Sequence, residues 1–541
     1  MNKRINSALV VCRPWLGTAC FSILILTGCS MFPSATSAPV DVVFDTPQEE
    51  IEGGVRLAPV ESLWDGYGEV IDVRGDVLAI GASEWNQCGA GSVHLYRLIE
   101  GAWQKEAQLV ASDRDEFKIQ ARQFEAMRFG TSVALGEGII AVGVPGNVPA
   151  EEGGLPGAVY LYEYDGQTWA ETAKLTPGDN VESTPSRLTP SVCARFRPSS
   201  FGALTALAGD TLAVGGEASG LVYVYQRGEN GWTEQTRLQI PDVEGKMLYM
   251  ASMSLFGDTL ALSVYYILPQ EEQQDALPVL SGNVIVYVFE RTGNAWEESF
   301  QFSPEGEAEL LFFREVNVGA SVTLGGESGQ ANLLAIGLPG FPDWTGELNP
   351  FLFGVPLEQV SPEQLPEFPA SNRQTGAVYL FERSGEDWRG QATLRPAGWE
   401  TPPGPGSFPA FPTHLEEGQE SSDESGTGLS ETADLFDFIF PGDLYSASPE
   451  ITFFGATVDL DGDQLAVTAG FANATYIFEN KDGGWVYRFS VIPRNEKMEF
   501  WEDFAQVVKI SGLTLLLGTP GEFGNSAYVF DLCIPSSLDC R

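Results

Sequence analysis

The feature that most constrains this chain is a unit of four short apolar segments that recurs along it. In the clearest copy, residues 129–135 and 139–145 flank a turn at Gly136-Glu137-Gly138, and a third segment follows at 157–162. The fourth segment begins at Trp169 and carries an apolar residue, Leu175, six positions later. Since no stretch of about 10 to 12 residues keeps a helical period, and β-branched and aromatic residues dominate, each segment is predicted to be a strand.

The unit occurs seven times, and each copy contains a glycine turn between its first two segments. These turns lie at Gly75-Asp76, Gly136-Glu137-Gly138, Gly209-Asp210, Gly257-Asp258, 325–329, Gly462-Asp463 and Ser511-Gly512. Six copies have a tryptophan at the start of the fourth segment: Trp103, Trp169, Trp232, Trp296, Trp388 and Trp485. We interpret these tryptophans as packing residues between sheets, because each ring buries a large apolar area. The chain is therefore predicted to be all-β, a seven-bladed β-propeller of four-stranded antiparallel blades.

The seventh copy lacks a tryptophan segment. Several fourth segments end in an apolar-x-Pro sequence such as Leu175-Thr176-Pro177, and Leu57-Ala58-Pro59 repeats that sequence ahead of the first copy. We predict that residues 51–58 form the outer strand of the last blade, so that an N-terminal strand closes the ring and removes exposed edges. The predicted propeller spans residues 51–531, and residues 532–541 form a C-terminal tail.

Short glycine sequences recur at fixed places in the unit. Phe129-Gly130 and Phe201-Gly202 begin copies, whereas Gly143-Val144-Pro145, Gly337-Leu338-Pro339 and Gly518-Thr519-Pro520 end second segments. These sequences resemble the FG-GAP repeats of the integrin-α-like β-propeller, where Gly-Ala-Pro is usual. The resemblance implies the same fold over residues 51–531. It does not name a function, because this fold serves many.

The N-terminus combines basic residues with a short apolar stretch. Lys3, Arg4 and Arg13 precede the apolar residues from Leu16 to Leu26, and Leu26-Thr27-Gly28-Cys29 follows. A membrane-spanning helix needs about 20 apolar residues, so this stretch is too short to be one. Residues 1–28 resemble a bacterial lipoprotein signal peptide. That resemblance implies export, lipidation of Cys29 and, from Ser30, anchoring in the outer membrane of the cell envelope, with residues 29–50 as a flexible tether.

Lipidation of Cys29 leaves four mature cysteines, Cys88, Cys193, Cys533 and Cys540. An even number in an exported chain favours disulfides, although four cysteines allow three connectivities. Cys533 and Cys540 could form a disulfide within the C-terminal tail, which would leave Cys88 to pair with Cys193. The sequence contains no Cys-x-x-Cys spacing, so a zinc site is not expected.

The formal net charge is −44 at pH 7. Binding to a phosphate backbone needs clustered Lys and Arg, so nucleic acid is excluded as an expected partner. The same charge discourages contact with anionic head groups, and the expected membrane attachment is through the lipid alone. Solubility in salty surroundings and attraction of cations or a basic partner both remain as explanations of the acidity.

The lengths of the connections differ between the two faces of the predicted propeller. Connections between first and second strands and between third and fourth strands are short, and we call their side the hairpin face. The longer connections all belong to the opposite side, the loop face, and the two largest insertions are residues 340–375 and 397–452. Their aromatic residues are either a local core over the propeller or a contact patch for a protein or glycan. The binding-face candidates are Phe341, Trp344, Phe351, Phe353, Trp399, Phe408 and Phe411.

Calcium is the one cofactor that a sequence in the repeat suggests. The sequence Asp459-Leu460-Asp461-Gly462-Asp463 alternates its carboxylates in the manner of a calcium loop. Its glycine falls at the fourth position and no later carboxylate follows, whereas calcium takes about six to eight oxygen ligands. Asp459, Asp461 and Asp463 are therefore a weak calcium candidate beside the simpler interpretation as a hairpin turn.

Enzymatic motifs are scarce. The only two histidines are His94, at a position where other third segments carry tyrosine, and His414, in the largest insertion. No nucleophile elbow, phosphate loop or metalloprotease motif occurs. The sequence predicts a non-enzymatic, envelope-anchored binding module for an unknown protein or polysaccharide. Two alternatives remain, a glycan-processing enzyme that uses loop-face carboxylates and a structural scaffold of the envelope.

Overall fold

The structure is a computed structural model. It describes residues 40–44, 50–58, 66–83, 90–114, 128–145, 157–177, 201–216, 220–267, 279–304, 308–313, 316–318, 320–327, 329–339, 376–385, 387–396, 454–469, 474–493, 507–519 and 526–532. No helix in this part of the chain is long and apolar enough to cross a membrane.

The described residues form strands that group into seven sheets. Three N-terminal strands come first: β1 (Val40–Phe44), β2 (Glu50–Gly53) and β3 (Val55–Leu57). Blade 1 contains β4 (Tyr67–Arg74), β5 (Val77–Ala82), β6 (Ser92–Ile99) and β7 (Ala102–Leu109). Blade 2 contains β8 (Ser132–Gly136), β9 (Ile139–Val144), β10 (Ala158–Tyr164) and β11 (Trp169–Leu175). Blade 3 contains β12 (Leu204–Ala208), β13 (Thr211–Gly215), β14 (Leu221–Gly228) and β15 (Gly231–Gln239). Blade 4 contains β16 (Met247–Phe256), β17 (Thr259–Ile267), β18 (Val279–Thr292) and β19 (Ala295–Phe302), with β20 (Ala308–Phe313) and β21 (Val316–Val318) added to it.

The remaining blades complete the series. Blade 5 contains β22 (Ser321–Glu327), β23 (Gln330–Leu338), β24 (Ala377–Ser384) and β25 (Asp387–Pro396). Blade 6 contains β26 (Phe454–Asp461), β27 (Gln464–Ala469), β28 (Ala474–Lys481) and β29 (Gly484–Pro493). Blade 7 contains β30 (Val507–Ser511), β31 (Thr514–Thr519) and β32 (Ser526–Asp531), and β3 supplies its fourth strand.

The first strand of every blade lies at the inside of the ring. Each one contacts the first strand of the next blade, in the order β4, β8, β12, β16, β22, β26 and β30, and β30 contacts β4. Within each blade the strands pair antiparallel from the first to the fourth. The predicted all-β, seven-bladed propeller is thus confirmed. Its hydrophobic clusters combine residues of neighbouring blades, as with Leu95 of blade 1 and Phe129 and Tyr160 of blade 2, so the core lies between the sheets.

All seven predicted hairpins contain a glycine in the left-handed region. Their φ angles run from 56° at Gly209 to 78° at Gly329. A side chain at such a φ would be strained, which explains why glycine marks each turn in the sequence.

A second set of glycines lets adjacent blades approach backbone to backbone. At the end of β9, a Cβ on Gly143 would collide with the carbonyl oxygen of Gly202, which opens blade 3. The same clash would occur between Gly81 and Gly130, between Gly337 and Gly455, and between Gly518 and Gly68. The recurring Phe-Gly and Gly-x-Pro sequences therefore mark the two sides of one inter-blade contact.

The tryptophans pack between blades, as predicted, and several also donate a hydrogen bond to the preceding blade. Trp169 Nε1 donates to Glu106 Oε2 at 3.0 Å, and Trp485 Nε1 donates to Gln391 Oε1 at 2.7 Å. At the equivalent acceptor position blade 2 has the shorter Thr172, and Trp232 Nε1 has no partner among the described residues. The tryptophan Nε1 group therefore forms this hydrogen bond where the preceding blade offers a long acceptor side chain, Glu or Gln, and not where it offers Thr.

The N-terminal segment closes the ring as predicted, but it does so with fewer residues. β3 pairs antiparallel with β32, Val55 opposite Val529 and Leu57 opposite Ala527. β2 instead runs parallel to β29 as a fifth strand of blade 6, and β1 runs parallel to β25 as a fifth strand of blade 5. The expectation that residues 51–58 all belong to the last blade is therefore corrected. Residues 40–44, expected in the tether, form a strand because an open sheet edge offers them backbone partners.

We predict that Leu57→Ala destabilises the propeller by about 2–5 kcal/mol, because Leu57 is 7% exposed and packs between blades 7 and 1. Val55→Ala is the matched control. Val55 lies two residues earlier in β3 and is 57% exposed, so its replacement is expected to cost no more than about 0.5 kcal/mol. Urea unfolding followed by tryptophan fluorescence measures both. Equal effects of the two variants would contradict a closing role for the buried face of β3.

Candidate functional site

The residues that the sequence assigns to binding and modification lie outside the described residues. This applies to the lipidation site Cys29, to the disulfide candidates and to the aromatic binding-face candidates of both large insertions. The set comprises Cys29, Cys88, Cys193, Cys533, Cys540, Phe341, Trp344, Phe351, Phe353, Trp399, Phe408 and Phe411. These assignments stay predictions. The described structure shows which strand ends the insertions join.

Both large insertions join blade 5 at its loop face. Residues 340–375 connect β23 to β24, whose ends pair through Leu338 and Ala377. Residues 397–452 follow β25, which ends at Pro396, and lead toward β26 in blade 6. The two most aromatic connections of the chain therefore start from one blade and one face.

The inner wall of the ring carries a second candidate. When the seven first strands are aligned on their hairpins, one position holds a small residue in four blades and a charged residue in three. The residues at this position are Asp72, Ala134, Ala206, Ser254, Thr323, Asp459 and Lys509. The charged residues belong to blades 1, 6 and 7, which are consecutive around the ring. We call Asp72, Asp459 and Lys509 the axial cluster.

Each carboxylate of the axial cluster reaches from its own blade to the backbone of the next. Asp459 Oδ2 accepts a hydrogen bond from the backbone N–H of Ile510 at 2.8 Å, and Asp72 Oδ2 accepts one from that of Leu135 at 2.6 Å. Lys509 Nζ donates to Asp459 Oδ1 at 3.0 Å. Ser254 and Thr323 act alike, since Ser254 Oγ accepts from the backbone N–H of Leu324 in blade 5 and Thr323 Oγ1 accepts from that of Leu460 in blade 6. This strand position therefore links adjacent blades.

Burial and charge act against each other in the axial cluster. Burial raises the pKa of Asp72 and of Asp459 above the usual value, and Lys509 offsets part of that shift. Burial alone would lower the pKa of Lys509, but the carboxylates of Asp459 and Asp72 outweigh it and raise that pKa. Lys509 stays charged at neutral pH. Its side chain keeps 36% exposure and that of Asp459 keeps 10%, so the ammonium group also reaches solvent.

These contacts limit the chemistry that the axial cluster can perform. A lysine nucleophile needs a lowered pKa, whereas that of Lys509 is raised. The carboxylates are engaged by backbone N–H groups and by the ammonium group. The arrangement is suited to holding blades 6, 7 and 1 together. Sequence reasoning missed it, although the alignment of first strands at their hairpins contained the signal: three charged residues where the other blades have Ala, Ser or Thr.

The calcium candidate residues are divided among separate contacts. Asp459 points into the axial cluster, while Asp461 Oδ2 accepts a hydrogen bond from the backbone N–H of Gly512 at 2.5 Å. Asp463 lies in the hairpin turn, and its backbone carbonyl accepts from the N–H of Asn480 at 2.7 Å. Among the described residues, no group of three acidic, histidine or cysteine side chains is placed to hold a metal ion. The structure does not bring these three carboxylates together.

His94 is a buried residue of blade 1, and His414 lies outside the described residues. The His94 Nε2 atom lies 3.2 Å from Ser92 Oγ, and the ring packs edge-on against Tyr67 with centroids 5.2 Å apart. Its Nδ1 has no hydrogen-bond partner in the described part of the chain. Burial, assisted by the charge of Lys105, lowers the pKa of His94 to about 4. His94 is therefore a neutral core residue at neutral pH.

Comparison with known proteins finds distant likenesses among solved structures alone. No family model matches the chain, and no curated protein matches it. Among solved structures, Sqt1 from Saccharomyces cerevisiae has a TM-score of 0.35 and 11% identity, covering 88% of this chain and 99% of that one. The WD40 domain of Toxoplasma gondii coronin has a TM-score of 0.39 and 8% identity, covering 93% and 91%. The periplasmic gluconolactonase PpgL of Pseudomonas aeruginosa has a TM-score of 0.37 and 12% identity, covering 79% and 85%.

The protein is similar to these structures in fold alone. The class that the structure defines is the seven-bladed β-propeller.

We predict that Lys509→Met lowers the free energy of unfolding by about 1–3 kcal/mol, because it leaves two neighbouring carboxylates without their counter-charge. This loss of stability is smaller than that expected for a fully buried pair, since the Lys509 side chain is 36% exposed and water screens its charge. Adding Asp459→Asn to Lys509→Met is expected to recover part of the loss. Chemical unfolding of the single and double variants measures this, and additive losses would contradict the assignment.

A pH dependence of stability follows from the lowered pKa of His94. The unfolded chain binds a proton near pH 6.5, whereas folded His94 does so only near pH 4. The unfolded state therefore holds more protons between these values, and stability falls as pH decreases from about 6.5 to 4. His94→Tyr, which installs the residue of the other third strands, is expected to flatten this interval. Thermal unfolding across pH 4 to 7 measures it, and an unchanged slope would refute the attribution to His94.

Proposed function

We propose that this protein is a lipid-anchored propeller of the bacterial envelope whose loop face binds a protein or polysaccharide without catalysing a reaction. The observation that carries the proposal is the origin of both large insertions at the loop face of blade 5. A rigid ring presenting long aromatic connections on one face is a common way of building a binding surface. The aromatic residues from Phe341 to Phe411 named above would supply its anchors.

The axial cluster and His94 have structural roles in the ring. The axial carboxylates Asp72 and Asp459 accept hydrogen bonds from neighbouring backbone groups, and Lys509 is held charged beside them. His94 is buried in blade 1 and neutral near pH 7. None of these four side chains is placed to act as a general acid or base on a bound substrate.

The anchoring part of the proposal rests on Cys29 and on the path of the N-terminal segment. The signal sequence would be cleaved before Cys29, and ten residues would separate the lipidated cysteine from β1 at Val40. At most about 3.3–3.6 Å per residue, this spacer keeps the propeller near its membrane. Membrane fractionation and mass measurement of the N-terminal peptide test this. Cys29→Ser is expected to release the protein, and a Cys29→Ser protein that stays membrane-bound would contradict lipid anchoring.

Loop-face binding can be tested with paired variants of exposed apolar residues. The mature protein would be applied to an array of envelope polysaccharides and to cross-linked envelope extracts. Trp344→Ala with Trp399→Ala is expected to weaken retention at least tenfold, because aromatic anchors contribute about 2 kcal/mol or more each. Val486→Ala is the control, since Val486 is 47% exposed near the hairpin-side start of β29. Retention that survives the tryptophan changes, or that Val486→Ala abolishes, would contradict a loop-face site.

A further inference from the structure

β1 is a strand that the ring does not need for its closure. It pairs parallel with β25, from Val40 opposite Ala392 to Phe44 opposite Pro396. β2 and β3 follow it in the chain and make their own pairings with blades 6 and 7. Every blade keeps its four strands when β1 is taken away. Detachment of β1 therefore removes an added strand and leaves the ring closed.

β1 is held along one edge only. In the described structure it is the last strand of its sheet, with β25 on one side and no strand on the other. It has five residues, and parallel pairs are slightly less stable per residue than antiparallel ones. Short strands at a sheet edge open locally without unfolding of the whole domain. β1 is therefore the strand that leaves at the lowest cost to the propeller.

The outer edge of blade 5 is built to hold an added strand. One position of the fourth strand, opposite the aromatic residue of the third, separates the blades into two groups. In blades 5 and 6 it holds the small residues Thr393 and Ser490, with 2% and 0% exposure. In the other five blades it holds long, exposed residues: Gln108, Lys174, Arg237, Gln301 and Arg56. The small residues thus mark the two blades that receive β1 and β2.

Without β1, this edge of β25 exposes backbone groups that lack a partner strand. Unpaired N–H and C=O groups at a sheet edge pair readily with another extended segment. The segment that the structure shows to fit the edge is Val40–Phe44, in a defined parallel register. Every copy of the chain carries this segment. A second copy is therefore the partner whose chemistry matches the edge.

The connection after β1 lets the segment reach a second copy. Residues 45–49 separate β1 from β2, and the path from Phe44 to Glu50 spans at most about 20 Å when extended. β2 and β3 stay on their own ring while β1 moves. Because exchanged and unexchanged forms make the same strand pairing, the balance between them follows the protein concentration.

We propose that copies of this protein exchange β1, so that Val40–Phe44 of one copy pairs with residues 392–396 of the other. Each copy both gives and receives the strand, and the exchange therefore forms a symmetric dimer. The dimer joins the two rings at the outer edge of blade 5. It needs no ligand at the loop face, so it stands apart from the function proposed above.

Photo-cross-linking between two co-expressed copies tests the exchange. One full chain carries p-benzoylphenylalanine in place of Phe44, which lies opposite Pro396, and the other carries an affinity tag. After irradiation, capture of the tag under denaturing conditions is expected to retain the first chain, cross-linked to a peptide that contains residues 392–396 of the tagged one. Cross-links that stay within the first chain, or that join the tagged chain at other residues, would overturn the proposal.

A pair of double variants separates strand exchange from chance encounter. Val42→Pro with Val43→Pro is expected to reduce the cross-link between copies at least tenfold, because one of two consecutive N–H groups faces β25 and proline has none. Val42→Ile with Val43→Ile keeps both N–H groups and the preference for a strand, so it is expected to preserve the cross-link. Thermal unfolding checks that both rings stay folded. A cross-link that survives the prolines would count against the exchange.

Discussion

At four of the seven blade junctions the backbone of one blade passes directly over a glycine of the other, and the close packing of these blades depends on this contact. It recurs at the junctions of blades 1 and 2, 2 and 3, 5 and 6, and 7 and 1. A methyl group on Gly143 or Gly518 would force the sheets apart, because the opposing atom is a carbonyl oxygen that cannot rotate away. The tryptophans then pack in the space that the backbone contact fixes. Their hydrogen bonds vary between junctions, as Trp169 and Trp232 show, while the glycine contact keeps the spacing.

Closure of the ring uses both its outer and its inner side. At the outside, β3 brings the N-terminal segment onto blade 7, and at the inside Lys509 connects with Asp459 and faces Asp72. The charged positions fall on the three blades around the closure, whereas blades 2 to 5 have Ala, Ser or Thr there. The first and last blades of the ring come from distant parts of the chain. Contacts between residues far apart in the sequence must therefore hold blades 7 and 1 together. The pairing of β3 with β32 completes the last blade, and the ion pair of Lys509 with Asp459 joins that blade to blade 6.

The fold was predictable from the sequence because its determinants are local and repeated. Each hairpin shows its glycine, and each fourth strand but the last shows its tryptophan. The axial cluster was not predicted, since the partners of Asp72 and Lys509 come from different blades and no short motif joins them. β1 was not predicted, and β2 was assigned to the last blade instead of blade 6, for a related reason. Val40–Phe44 lies outside the repeated unit, and its strand conformation depends on the open edge of β25 in a blade far along the sequence.

The N-terminal segment crosses the outer edges of three blades in succession, and this path has a mechanical consequence. Tension applied ahead of Val40 acts first on the backbone hydrogen bonds between β1 and β25, then on those between β2 and β29. Only after both have separated does the load reach β3, the strand on which closure of blade 7 depends. The pairings of β1 and β2 must thus separate one after the other before a pull on the N-terminal segment reaches the ring.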